Sequence, residues 1–257
     1  MSDSRVRAVV LDIEGTTGSL SHVRDVLFPY ARARLASWLA RHEETQDGLR
    51  VLAAVREYTA SPDLSGSGAA AVLQEWSDRD VKVAPLKSLQ ALIWADGYRS
   101  GELSGHVYPD VPAALEQWRA DGVSRWIYSS GAVPAQRDWF AHTAFGDLTP
   151  LLDGYFDLDT AGSKRDPASY RRIAAAIAVP ARHILFASDV AEELDAAAGS
   201  GWQTLAVRRD DDPRGPHVPG HPRAARLRLP GRAGMAGAQR HPFGSSAAPA
   251  SPFVEPA

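Results

Sequence analysis

Asp12 and Glu14 stand two residues apart in the segment Asp12-Ile13-Glu14-Gly15-Thr16-Thr17, directly after the apolar run Val6 to Leu11. A further carboxylate, Asp189, follows the apolar run His183 to Phe186 by way of Ala187-Ser188. Carboxylates from two separate segments suit Mg²⁺, a hard cation that takes a few carboxylates together with phosphate oxygens and water. A carboxylate can also attack phosphorus and form an aspartyl-phosphate. Ser129-Ser130-Gly131 offers hydroxyl and backbone N–H donors of the kind that hold phosphate oxygens. Lys164 follows Gly162-Ser163 and is one of three lysines against 25 arginines. In so arginine-rich a chain, a loop lysine points to a compact point charge rather than a flat fork. Taken singly, each group has a plainer reading. Asp12 could be a turn residue, Asp189 a helix N-cap, Lys164 a surface lysine and Ser129-Ser130-Gly131 a turn.

These residues act together only if the chain brings them together. Val6-Arg7-Ala8-Val9-Val10-Leu11 reads as a strand buried on both faces, as in a parallel sheet. Further strands are predicted at Arg125 to Tyr128, Tyr155-Phe156, His183 to Phe186 and Thr204 to Val207. Helical spacing falls between them, at Ala113 to Trp118, Ala135 to His142, Ala168 to Ala178 and Leu194 to Ala198. Alternating strands and helices predict an α/β fold, a Rossmann-like parallel sheet covered on both faces. In such sheets ligands bind at the carboxyl ends of the strands, where Asp12, Ser129 and Asp189 would all lie. Residues 18–105 show helical spacing only, as in Leu27, Ala31, Leu35 and Leu39, and predict an inserted all-helical cap.

The segments Asp12 to Thr17, Ser129-Ser130-Gly131, Lys164 and Ser188-Asp189 together resemble the four motifs of the haloacid dehalogenase (HAD) superfamily. The resemblance is closer still to the acireductone-forming enolase-phosphatases of methionine salvage, which carry glutamate two residues after the nucleophile, where Glu14 stands. Val26-Leu27-Phe28-Pro29-Tyr30, Ala135-Gln136 and Ser169-Tyr170-Arg171 are similar to that family as well. The likeness spans about residues 6–207. It implies a Mg²⁺-dependent hydrolase with Asp12 as nucleophile. Glu14 would be the acid/base, and Asp12, Glu14 and Asp189 the metal site. Ser129, Ser130 and Lys164 would bind substrate. It also implies conversion of 2,3-diketo-5-methylthiopentyl-1-phosphate to acireductone and phosphate. Another small phosphomonoester on the same fold is the alternative substrate, because cap residues rather than these motifs choose it.

Composition narrows the alternatives. The chain has 257 residues, 44% hydrophobic and 23% charged, as in an ordinary globular protein. It has no cysteine, which excludes thiolate chemistry and suits the cytoplasm. No P-loop or G-x-G-x-x-G is present, no apolar run reaches the roughly 18 residues of a membrane span, and no signal peptide is visible. The net charge of −3 gives no reason to expect nucleic acid, and nothing demands more than a monomer. Residues 213–257 hold nine of the 18 prolines and six arginines against one acid, which predicts a disordered, basic tail. The expected organisation is therefore a core of residues 1–17 and 106–212, a cap of residues 18–105 and that tail.

Overall fold

The computed structural model describes residues 5–210, 212, 214, 215 and 218–227. Six strands form one sheet in the order β3-β2-β1-β4-β5-β6. They are β1 (Ala8–Leu11), β2 (Ser124–Tyr128), β3 (Gly154–Phe156), β4 (Ile184–Ser188), β5 (Gln203–Val207) and β6 (Arg223–Ala224). Every pairing is parallel. The first strand sits near the middle, with Leu11 opposite Ile127 on one side and Ala187 on the other. The chain builds outward from β1 through β2 and β3, then returns to lay β4 on the other side of β1. That reversal creates a crevice at the carboxyl ends of β1, β2 and β4.

Strand periodicity explains the layers. Val9, Leu11, Ile127, Leu185 and Leu205 point to one face, where α6 (Asp110–Ala120) and α7 (Val133–Ala141) supply Leu115, Trp118, Trp139 and Phe140. Ala8, Val10, Tyr128, Ile184 and Phe186 point to the other, against Tyr170, Ile173 and Leu194 of α8 (Pro167–Ile177) and α9 (Ala191–Gly199). Because both faces are covered, β1 and β4 are buried at every residue, as their unbroken apolar runs require.

Residues 20–100 form helices joined by short loops, with no strand among them. They run through α1 (Leu20–His22), a π-helical turn (Val23–Leu27), α2 (Phe28–Arg41), α3 (Gln46–Tyr58), α4 (Gly66–Asp78) and α5 (Ala84–Ser100). The starts are encoded locally. Thr45 and Ser65 accept N–H groups of Gly48 and Gly68 as N-caps, and Pro85 occupies the first turn of α5. α5 ends at Gly101, whose φ of +76° is a left-handed C-cap. These helices have a core of their own, formed by Leu35, Trp38, Leu39, Val55, Leu73, Leu89 and Ile93.

The folded body runs past residue 212, where the sequence predicts a tail to begin. Val218 and Leu227 are buried, and β6 adds a sixth strand beside β5. The proline-rich composition hid this because a two-residue edge strand carries no periodicity and proline is tolerated beside an edge. The remainder of the expected tail, residues 228–257, lies outside the described residues. Leu227→Ala is therefore expected to lower unfolding free energy by about 2 kcal/mol, the low end for a buried leucine, because it lies at the margin of the core. Urea denaturation measures this, and a change near zero would mean that this segment is not packed.

Candidate active site

Asp12 is the first residue after β1, and its N–H still donates to the Ala187 carbonyl of β4 at 3.0 Å. The chain then turns sharply. The N–H groups of Thr16, Thr17 and Gly18 all converge on the Ile13 carbonyl, at 3.2, 3.0 and 2.8 Å. Gly15 adopts φ +79°, and a Cβ there would overlap the Asp189 carboxylate. Only glycine gives both the left-handed backbone and the close approach of this loop to β4. Thr16 Oγ1 donates to Asp12 Oδ2 at 3.3 Å and Thr17 Oγ1 to the Asp12 carbonyl at 2.9 Å. The two threonines thus hold the residue that precedes them.

Lys164 reaches the same place from the loop before α8. Its Nζ lies 2.5 Å from Asp12 Oδ1 and 2.7 Å from Glu193 Oε2, with 6% of its side chain exposed. Two tyrosines fix that loop: Tyr170 Oη donates to the Lys164 carbonyl at 2.7 Å and Tyr128 Oη to that of Gly162 at 2.8 Å. Burial alone would lower the pKa of Lys164, but the two carboxylates outweigh it and the ammonium is held more firmly than in water. Asp12 shifts upward because it is buried, and the Glu193 charge adds to that, although Lys164 opposes both. One ammonium between two carboxylates leaves the triad with a net negative charge and an attraction for a further cation.

Asp189 ends β4 and is 1% exposed. Its Oδ2 pairs with the Arg214 guanidinium, while its buried Oδ1 has no hydrogen-bond partner. Burial first, and the Asp12 charge second, raise its pKa to about 6. An orphaned, buried carboxylate oxygen facing other negative charge is the polar debt that a bound cation relieves. Glu14 sits at the open side of the site. Burial of its carboxyl, then the charges of Asp12, Asp189 and Glu193, raise its pKa. Among the described residues no three His, Asp or Glu side chains form a ready metal cage. Asp12, Glu14 and Asp189 are therefore neighbours in charge rather than a closed trio of ligands. Mg²⁺ needs no such trio, since one or two carboxylates plus substrate phosphate and water suffice.

Ser129 and Ser130 follow β2. Ser129 Oγ accepts the Gly131 N–H at 3.2 Å, which leaves its own proton to donate, and Ser130 is exposed at the turn. Behind them Gln136 Nε2 donates to the carbonyls of Gly131 and Phe156 at 2.6 and 2.9 Å. Asp157 accepts the Val133 N–H at 3.0 Å and so caps the start of α7. Burial works against the Asp157 carboxylate, but N–H and hydroxyl donors from Thr160 and Val133 prevail and its pKa falls. The result is a rigid turn with hydroxyl and amide donors near a helix N-terminus, the arrangement that receives phosphate oxygens.

Glu193, Asp157, Gln136, Thr16 and Arg214 were not among the predicted site residues. Glu193 had a legible signal: it lies four residues after Asp189, about one helical turn. Ser188 Oγ fixes it by donating to Oε2 at 2.9 Å. Arg214 had none, lying in the stretch whose composition reads as a tail.

Comparisons with known proteins give the chain a family. The family model of the haloacid dehalogenase-like hydrolases matches residues 6–201. The chain is similar to the enolase-phosphatase E1 of Frankia alni, at 51% identity over 86% of this chain and 94% of that one. It is similar to the enolase-phosphatase E1 of Pseudomonas aeruginosa at 47%, over 86% and 96%. Among solved structures it resembles the UTR4 protein of Saccharomyces cerevisiae, with a TM-score of 0.75 and 30% identity over 88% of this chain and 100% of that one. This chain is thus a haloacid dehalogenase-like hydrolase and belongs, within that class, to the enolase-phosphatase E1 family.

Lys164→Met would leave two buried carboxylates facing each other. The variant is expected to lose about 3 kcal/mol of unfolding free energy at pH 8. Without the ammonium the folded-state carboxyl pKa rises further above the unfolded value, so the native state binds the extra proton. The deficit should therefore shrink as pH falls from 8 to 6, a trend that urea unfolding at both values measures.

Proposed function

We propose that this phosphatase is the acireductone-forming enzyme of methionine salvage. It would convert 2,3-diketo-5-methylthiopentyl-1-phosphate, by enolisation and phosphate removal, to acireductone (1,2-dihydroxy-3-keto-5-methylthiopentene). The observation that carries the reading is the Asp12–Lys164–Glu193 triad beside Asp189 and its unpartnered oxygen, in a chain of this family. Asp12 is the nucleophile. One of its carboxylate oxygens attacks phosphorus, the bond from phosphorus to the substrate C1 oxygen breaks, and an aspartyl-phosphate forms. Glu14, with its raised pKa and open position, gives a proton to the departing oxygen. It then takes one from the water that hydrolyses the aspartyl-phosphate. Ser129 and Ser130 hold the non-bridging oxygens through their hydroxyls. Lys164 keeps the Asp12 carboxylate oriented and balances charge as it accumulates.

Mg²⁺ is the cofactor in this reading. Asp12 and Asp189 would hold it with Glu14 alongside, and when bound it neutralises phosphate charge. The helices of residues 18–105 act as the cap that selects substrate, over a core made of residues 1–17 and 106–212, to which β6 and Leu227 add. Among the described residues no helix is long and apolar enough to cross a membrane. The cysteine-free composition suits a cytoplasmic enzyme, and the same reading takes it as a monomer.

Asp12→Asn is expected to abolish phosphate release and the acireductone absorbance together while circular dichroism is unchanged. Full activity in that variant would remove Asp12 from the mechanism. Phosphate without acireductone from the unaltered protein would favour a phosphatase acting on another small phosphomonoester. Because Mg²⁺ must displace the proton that Asp189 holds below about pH 6, Mg²⁺ affinity measured by calorimetry should be about tenfold weaker at pH 5 than at pH 7. A pH-independent affinity would mean that binding displaces no proton from Asp189 in this range.

A further inference from the structure

Arg209 lies just beyond β5, 193 residues from Thr16, with 5% of its side chain exposed. Its Nε donates to the Thr16 carbonyl at 2.9 Å, and Nη2 donates to the same oxygen. Nη1 donates to Asp110 Oδ1 at 2.7 Å and to the Ala225 carbonyl at 3.2 Å. The guanidinium stacks 4.1 Å from the centre of the Tyr108 ring, and the Tyr108 N–H donates to the Thr17 carbonyl at 2.9 Å. Asp110 Oδ2 accepts the Leu227 N–H at 2.6 Å, which ties the end of the described chain to the same cluster.

This cluster grips the loop that carries the nucleophile from behind. The hydroxyls of Thr16 and Thr17 face Asp12, and their carbonyls face Arg209 and Tyr108. We propose that Arg209 is a positioning residue for catalysis, a two-donor clamp on the Thr16 carbonyl that fixes where the Thr16 hydroxyl, and through it the Asp12 carboxylate, stands. This rests on the reading of Asp12 as nucleophile. A planar fork fits the task, because two donors on one carbonyl define a direction as well as a distance. Among the described residues its carboxylate partner is Asp110, on one arm, while two nitrogens go to the loop that carries Asp12.

The test uses the full-length chain with Mg²⁺ and beryllofluoride, a phosphoryl mimic that adds to a nucleophilic carboxylate and is followed by ¹⁹F NMR. Arg209→Lys keeps the charge but not the two-donor grip. It should weaken beryllofluoride binding about tenfold and lower kcat on the diketo phosphate by about 10–100-fold with KM little changed, the signature of misplaced reacting groups. Its thermal midpoint should stay close to the parent's. Asp110→Asn, which keeps an acceptor for Nη1 and leaves the Thr16 contact, should bind beryllofluoride like the parent even where its midpoint falls. The proposal is overturned if Arg209→Lys binds the mimic and turns over like the parent. It is equally overturned if Asp110→Asn loses both in proportion to its stability, since that would make the cluster a structural clamp only. A parent protein that fails to bind beryllofluoride would instead refute Asp12 as nucleophile, and this inference with it.

Discussion

One ammonium group holds the site together. Lys164 stands between Asp12, from the end of β1, and Glu193, from the first turn of α9, and both contacts are buried. Without that charge the two carboxylates could not share a water-poor pocket, and one would have to take up a proton. The surrounding architecture serves to deliver these three charges to one point. The parallel register puts β1 beside β4, the glycine at position 15 lets the first loop pass close to Asp189, and two tyrosines anchor the loop that presents the lysine. One negative charge of the triad is left unbalanced.

The site is assembled in shells, each made by a different kind of interaction. Charge sets the centre. Hydroxyls of Thr16 and Ser188 set the orientation of its carboxylates, and that of Thr17 holds the Asp12 backbone. Backbone carbonyls, gripped by Gln136 and Arg209, set the shape of the loops behind them. The outermost shell draws on residues far along the chain, so that the segment after β5 contributes as much to the geometry as the motif loops do.

Much of this was legible in the sequence because it follows from short-range rules. The apolar runs of β1 and β4 suit buried strands, and small or acidic residues directly after them point to a crevice site. The caps of α3 and α4 and the glycine after α5 are local signals too. What escaped was whatever depends on distance. Arg209 and Arg214 are ordinary arginines in an arginine-rich chain, and only the fold shows that they meet Thr16 and Asp189. β6 escaped because two residues have no period, and Val218 and Leu227 because isolated apolar residues among prolines look like a tail. Gln136 was noticed as part of a familiar segment, but its two carbonyl contacts were not foreseeable from spacing.

The central place of β1 has a consequence for how the molecule is made. Its partners begin at Ser124 and Ile184, so a chain leaving the ribosome carries its central strand unpaired until β2 is made, and open on one side until β4 follows. The helices between residues 28 and 100 have their own apolar interior and can gather first. Asp12 is thus among the first residues synthesised, yet its pocket closes only when β4 and α9 dock, an event set by contacts between residues far apart in sequence. The pocket around Asp12 and the middle of the sheet close in the same step.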